Sequence, residues 1–184
     1  MGLRAIPTDY RPFPNVTAKN AVQELFEVPT LIRLLDLPRR ARVLEVGCGR
    51  GVALPPLARH CAPSRLVGLD LDAELLRDAR GTLARERVEA ELVLGDVREL
   101  PFGDETFDVV VDFGTCYHVA HPERALAEIA RVLAPRGVFV HETPMAQLLA
   151  HPIRAGGRSL PWHAADLEPR RTALLWSTRS KRAA

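Results

Sequence analysis

The chain has 184 residues, 47% of them hydrophobic and 26% charged, and a formal net charge of +2. That length buries about 70% of the unfolded surface, enough for one self-sufficient core. The near-neutral balance removes the electrostatic case for a nucleic-acid or membrane partner. No run approaches the ~20 apolar residues of a membrane span, and the opening residues lack the apolar segment of a signal peptide. Cys48, Cys61 and Cys116 are odd in number and irregular in spacing. They fit no disulfide framework and no metal site, and suit a reduced, cytoplasmic chain.

Pro7, Pro12 and Pro14 make residues 1–16 an irregular arm, followed by helix over 18–36 in which Pro29 predicts a kink or a break. Residues 1–36 form an arm and helix packed on the core; residues 37–184 form the main body of a single domain. From residue 42 onward, short apolar runs alternate with amphipathic ones. Strands are predicted at 42–46, 65–70, 90–96, 107–114 and 137–142, with helices at 51–61, 72–87 and 121–133. Pro55 and Pro56 bend or shorten the first of these helices. Asp72 is placed to cap the second, which buries Leu75, Leu76, Ala79 and Leu83. The third starts at His121-Pro122 and buries Leu126, Ile129 and Leu133. A weak strand around 158–166 and a stronger one at 172–178 complete the chain. Alternation of this kind predicts an α/β fold, a doubly wound and mostly parallel Rossmann-like sheet.

The loop after the first strand is "VLEVGCGRG", with Gly47, Gly49 and Gly51 at alternate positions. In such sheets ligands bind beyond the carboxyl ends of the strands, where a glycine loop brings bare main chain close to the ligand. The spacing is one residue shorter than the dinucleotide fingerprint, and no Gly-Lys-Ser/Thr follows to make a Walker loop. Glu45 would repel a pyrophosphate but attract an ammonium or a sulfonium. Asp70 ends the second strand and Asp96 the third, so acidic groups recur along one rim. The sign of the charge favours S-adenosylmethionine over NAD, which stays as a rival ligand.

These motifs, with "VGLDLD", "LGDVRELPFGDETFDVVVD" and "HPERALAEIARVLAPRG", resemble class I S-adenosylmethionine-dependent methyltransferases of the small-molecule type related to ubiquinone- and menaquinone-biosynthesis enzymes. The resemblance runs from about Arg42 to Thr143. It implies that Gly47, Cys48, Gly49 and Gly51 wrap the methionine end of the cofactor and that Glu45 orients it. Asp70 would hold the ribose hydroxyls, Leu71 would pack on adenine, Asp96 would bond the adenine amino group, and the main chain of Val97 would read the ring. Asp112, Phe113 and Gly114, leading to Thr115, would pass beside the transferred methyl. The family's usual Lys-Pro-Gly-Gly turn is here Ala134-Pro135-Arg136-Gly137.

Methyl transfer needs alignment more than proton chemistry, because the cofactor arrives activated. His118 is a candidate base beside the fourth strand, although it also reads as a packing residue. Tyr117 is placed either to line an acceptor pocket or to pack. Cys48 reads as a small packing residue, and Cys116 as a packing residue before a nucleophile or thiol acceptor; His141 reads as a surface residue before one facing the pocket, Asp104 and Glu105 as a surface turn, and the basic tail as solvated. Tyr10 and Arg11 lie in an arm that folds over the cofactor in relatives. The sequence "DFGT" at the fourth strand lacks the Asn/Asp-Pro-Pro-Tyr/Phe motif of base- and amide-methylating relatives, which leaves a small organic acceptor. The connector "PMAQLLAHPIRAGGRS" is a thin substrate lid and leaves room for a second copy to close the site as a homo-oligomer. A protein that binds the cofactor without turnover, as an assembly or regulatory partner, is the alternative function.

Overall fold

The structure is a computed structural model and describes residues 21, 25, 26, 28–35, 37–143, 160–172 and 176–181. Strand β1 (Arg42–Val46) buries side chains on both of its faces, which suits the middle of a sheet covered on both sides. It runs parallel to β2 (Arg65–Asp70) on one side and to β4 (Phe107–Asp112) on the other. The short β3 (Glu91–Leu94) borders β2, and β5 (Leu133–Glu142) borders β4, again in parallel. β6 (Leu167–Thr172) and β7 (Trp176–Lys181) form an antiparallel pair, with β7 added antiparallel to β5. The order across the seven strands is β3-β2-β1-β4-β5-β7-β6. The chain therefore has the doubly wound, mostly parallel sheet that its periodicity predicts.

Helices cover both faces because each carries one apolar stripe. On one face α1 (Val28–Leu35), α2 (Leu54–Cys61) and α3 (Ala73–Glu86) bring Leu31, Leu57 and Leu76 against Val43, Val109 and Val111. On the other, α4 (Pro122–Val132) brings Leu126 and Ile129 against Leu44, Val110 and Phe139. Pro29 stands in the first turn of α1, where its missing N–H costs little. Pro55 and Pro56 likewise fill the first turn of α2 and shorten it to eight residues. Asp72 caps α3, its side chain accepting from Glu74 N at 2.8 Å. Leu25 and Phe26 are 66% and 67% exposed, outside the core that the helical pattern assigns to them. None of the described helices is long and apolar enough to cross a membrane.

Several boundaries move. β3 stops at Leu94 because Asp96 folds back in a turn that bridges to Glu99. β4 stops at Asp112, since Gly114 has φ +102° and breaks the extended run. β5 begins four residues early, straight from α4, and Arg136 at φ +64° forms an irregularity inside it. The weak strand expected at 158–166 is instead a 3₁₀ turn at Trp162–Ala164, and the final hairpin is displaced toward the C-terminus. Apolar content predicts strands there, but pairing with β5 decides which residues occupy the ladder. The arm at 1–16 and the connector at 144–159 lie outside the described residues.

The loop between β3 and β4 is anchored by Val97 and Leu100 in the core and by Arg131 of α4. That guanidinium donates to the carbonyls of Phe102 (2.8 Å) and Leu100 (3.0 Å) and pairs with Asp104 (2.8 Å) and Glu128 (2.7 Å). Asp104 thus belongs to a structural turn, as its sequence context suggests. Arg131→Ala is expected to lower unfolding free energy by about 2 kcal/mol in urea titration, the scale of lost charge-assisted hydrogen bonds at a half-buried position.

Candidate functional site

The loop from β1 to α2 is built by three backbone turns that only glycine makes cheaply. Gly47, Gly49 and Gly51 have φ of +65°, +53° and +70°. Each has a different surrounding. A Cβ on Gly47 would run into the side chain of Thr115, and one on Gly51 would press on Ala79 of α3 at 3.0 Å. A Cβ on Gly49 would meet nothing within 4 Å, so this residue faces open space. The loop is tied to β2 by Asp70, which accepts from Gly49 N at 2.7 Å and from Asp72 N at 2.9 Å. Cys48 tucks beneath it, its sulfur 2.9 Å from where a Cβ on Gly68 would lie, so a glycine in β2 makes its room. It is a packing residue, and burial drives its thiol pKa well up.

Beneath the loop lies Glu45, 2% exposed, with Oε2 lacking any hydrogen-bond partner among the described residues. Burial first, and then the charges of Asp70 and Asp112, push its carboxyl up to about 8. Burial also raises Asp70, against the backbone donors that lower it. The rim is therefore a concentration of negative charge short of a cation, and an ammonium or sulfonium placed there would restore Glu45 to its ionised form.

The other rim residues are more occupied than the sequence suggests. Asp96 is held on both oxygens by Arg98, through Nε at 3.0 Å and Nη2 at 2.7 Å, and that guanidinium also reaches the carbonyl of Ala120. Asp112 is fully buried and turned inward, accepting from Thr115 N (2.5 Å) and Cys116 N (3.2 Å) to start the 3₁₀ turn Thr115–Tyr117. Its carboxylate is a cap, and only the main chain of Asp112–Gly114 remains to face a ligand. Val97 is in the core by its side chain, whereas Leu71 and Phe113 are half-buried at the rim.

Tyr117 does not offer its hydroxyl to an acceptor pocket, because it donates to the carbonyl of Glu142 at 2.9 Å and braces β5. His118 follows it, half-buried. Cys116 is buried and free, as are Cys48 and Cys61. His141 is 3% exposed, so its surface reading is overturned, because β7 and the Trp162 turn cover β5 at this point. Tyr10 and Arg11 lie outside the described residues. Arg98, Trp162 and Arg179 were not legible as site residues. Thr115 was, as the end of the segment after β4, but its packing against Gly47 was not.

Glycines 47 and 49 should separate folding from binding. Gly47→Ala is expected to cost about 2–3 kcal/mol of stability from the clash with Thr115 plus φ strain. Gly49→Ala should cost about 1 kcal/mol from φ strain alone, with its new methyl on the ligand face. Parallel thermal melts check the order.

Residues 44–141 match a family described as "Methyltransferase domain", just over half of the chain. The fatty-acid O-methyltransferase of Mycolicibacterium smegmatis is 39% identical over 101 residues, 54% of this chain and 36% of that protein. The phosphatidylethanolamine N-methyltransferase of Cereibacter sphaeroides is 41% identical over 104 residues, 55% of this chain and 50% of that one. The chain thus spans half or less of the length of these relatives. A solved SAM-dependent methyltransferase from Aquifex aeolicus has the same fold, with TM-score 0.67 at 17% identity over 87% of this chain and 91% of that one. Sequence over the glycine loop and rim, together with the strand order, assigns this chain to the methyltransferase-domain family.

Proposed function

We propose that the chain is an S-adenosylmethionine-dependent methyltransferase acting on a small organic acceptor. The observation that carries this reading is Glu45: a buried carboxyl oxygen without a partner, beneath a glycine loop whose Gly49 faces open space. The donor set fits a cationic amino-acid nucleoside and would oppose a pyrophosphate. When bound, the cofactor supplies a methyl group already activated on a sulfonium for in-line displacement. The chain's part is to hold and to dehydrate. The main chain of Gly47 to Gly51 approaches the methionine end, and Glu45 takes its positive charge. Asp70 accepts from the backbone of Gly49, Asp72 and Leu71, and its remaining acceptor capacity serves the ribose hydroxyls. Leu71 forms one wall for the adenine. Asp96, saturated by Arg98, acts as a buttress, and the ring is read by the main chain near Val97. His118 stands closest in sequence to the methyl as a candidate base. The relatives' named acceptors, a fatty acid and a phospholipid amine, extend the proposal to a lipid-like acceptor. Three free thiols support a reducing, cytoplasmic setting.

Calorimetry with S-adenosylhomocysteine and with NAD tests the reading, followed by detection of S-adenosylhomocysteine formation from S-adenosylmethionine over an acceptor panel. Tight NAD binding without response to S-adenosylhomocysteine overturns it. Asp70→Ala should weaken S-adenosylhomocysteine binding by about 1.5–3 kcal/mol, the scale of hydrogen bonds to a charged group.

Glu45 makes a pH prediction with a definite sign. Its folded pKa is raised, so the stability it contributes is full below about 4.5 and is lost as pH rises through about 8. A cationic ligand favours the ionised form, so binding near pH 7 should release close to one proton, read from the buffer dependence of the calorimetric enthalpy. Glu45→Gln should abolish that release.

A further inference from the structure

Beside the end of β4, on β5 and β7, lies a second set of buried groups unmatched among the described residues. His141 is the penultimate residue of β5 and pairs in register with Asp112, the last residue of β4. Its Nδ1 lies 2.7 Å from the carbonyl of Glu142. A carbonyl can only accept, so Nδ1 carries the hydrogen. Burial holds the ring neutral, lowering its pKa to about 4, with the Arg179 charge acting in the same direction. Nε2 is therefore a bare lone pair, and it is buried with no hydrogen-bond partner among the described residues.

Arg179 of β7 stands opposite Phe139, two residues before His141, so both side chains share one face of the sheet. Its Nη1 donates to the carbonyl of Leu167 at 3.2 Å, but its Nε–H is buried with no hydrogen-bond partner among the described residues. The half-buried indole of Trp162 covers both groups. Its ring centre is 4.3 Å from that of His141 and 3.8 Å from the Arg179 guanidinium carbon. A phenylalanine in place of His141 would pack against Phe139 and Trp162 without an orphaned nitrogen, so packing alone does not explain the histidine. Besides Arg179, the titratable groups near this ring are Tyr117, whose hydroxyl shares the Glu142 carbonyl, and Asp112 beside it on β4.

We propose that His141 Nε2 and Arg179 Nε receive a hydroxyl group of the methyl acceptor, Trp162 moving off the His141 ring to admit it. The assignment rests on the methyltransferase reading, which sets the transferred methyl beside the end of β4. The pair selects by hydrogen-bond character. A hydroxyl donates to Nε2 and accepts from Nε–H. A carboxylate has no hydrogen for Nε2, and an ammonium has no lone pair for Arg179 and meets its charge. An alcohol or phenol is thus preferred over a fatty acid or an amine.

The test uses the full chain with Trp176→Phe, so that Trp162 is the one emitting indole of the two in the sequence. With saturating S-adenosylhomocysteine, Trp162 emission is titrated with 1-octanol, octanoate, octylamine and methyl octyl ether. Octanol should shift the emission and bind about tenfold more tightly than the ether, about 1.4 kcal/mol. His141→Leu should erase that preference and His141→Gln, which keeps an acceptor, should restore part of it. Arg179→Met tests the donor independently and should weaken octanol binding by a similar factor. Equal binding of octanol and ether, tighter binding of octanoate, no response to octanol, or an unchanged preference in His141→Leu would each overturn the assignment. Calorimetry with S-adenosylhomocysteine on the same samples keeps the two readings apart: its binding survives if only the hydroxyl site is wrong, and fails if the cofactor site is wrong.

Discussion

The hydrogen bond from Gly49 N–H to the Asp70 carboxylate, 2.7 Å long, ties the first loop of the sheet to its second strand. Much of the site depends on it. The loop must leave β1, turn through left-handed backbone at Gly47, Gly49 and Gly51, and enter α2 at Leu54. Few side chains can hold such a segment, because its use requires bare main chain. Asp70 holds it from below, and the Asp72 N–H that completes the carboxylate's bonding ties the start of α3 to the same group. One buried anion therefore sets two turns at once, and the cost of burying it is offset by the donors it receives.

That arrangement accounts for the state of Glu45. With Asp70 fixed beneath the loop and Asp112 fixed as a cap on the next strand, Glu45 is a third acidic side chain in a space that water does not reach. Burial raises all three carboxyls, and Glu45, the one left with an oxygen unmatched among the described residues, is pushed up to about 8 by burial and by the charges of the other two. Backbone donors at Asp112 and at Asp70 oppose that rise and fix both groups in place. Unequal satisfaction of chemically similar groups, more than their positions along the rim, decides what each has left to offer a ligand.

The same distinction explains what could be read from the sequence. Strand order and helix faces follow from period and β-branching, and the cap at Asp72 follows from residue type. The glycine loop is contiguous in sequence, so its chemistry is visible in nine residues. Occupancy is not visible. Nothing local shows that Arg98 saturates Asp96, that Asp112 is spent on a 3₁₀ turn, or that Tyr117 braces Glu142. The final hairpin slips because "TALLWST" is as apolar as a strand needs, whereas pairing with β5 selects Trp176–Lys181. His141 fails as a surface residue for a related reason, since its cover comes from residues twenty and more positions later.

The two halves of the rim thus differ in how they are encoded. The proposed cofactor half is local, its glycine loop contiguous in sequence with Glu45 just before it. The proposed acceptor half is assembled from His141 in β5, Trp162 in a turn and Arg179 in β7, each dictated by long-range pairing. Antiparallel addition of β7 is what makes this assembly work. It puts Arg179 on the same face as Phe139 and His141, where a parallel strand would need a crossover connection far longer than the turn from β6. Substitutions in the β6–β7 hairpin can therefore change what meets His141 while the glycine loop and Asp70 stay as they are. A fold divided in this way can change its acceptor without rebuilding its cofactor site, because the two sets of contacts share a sheet edge but few side chains.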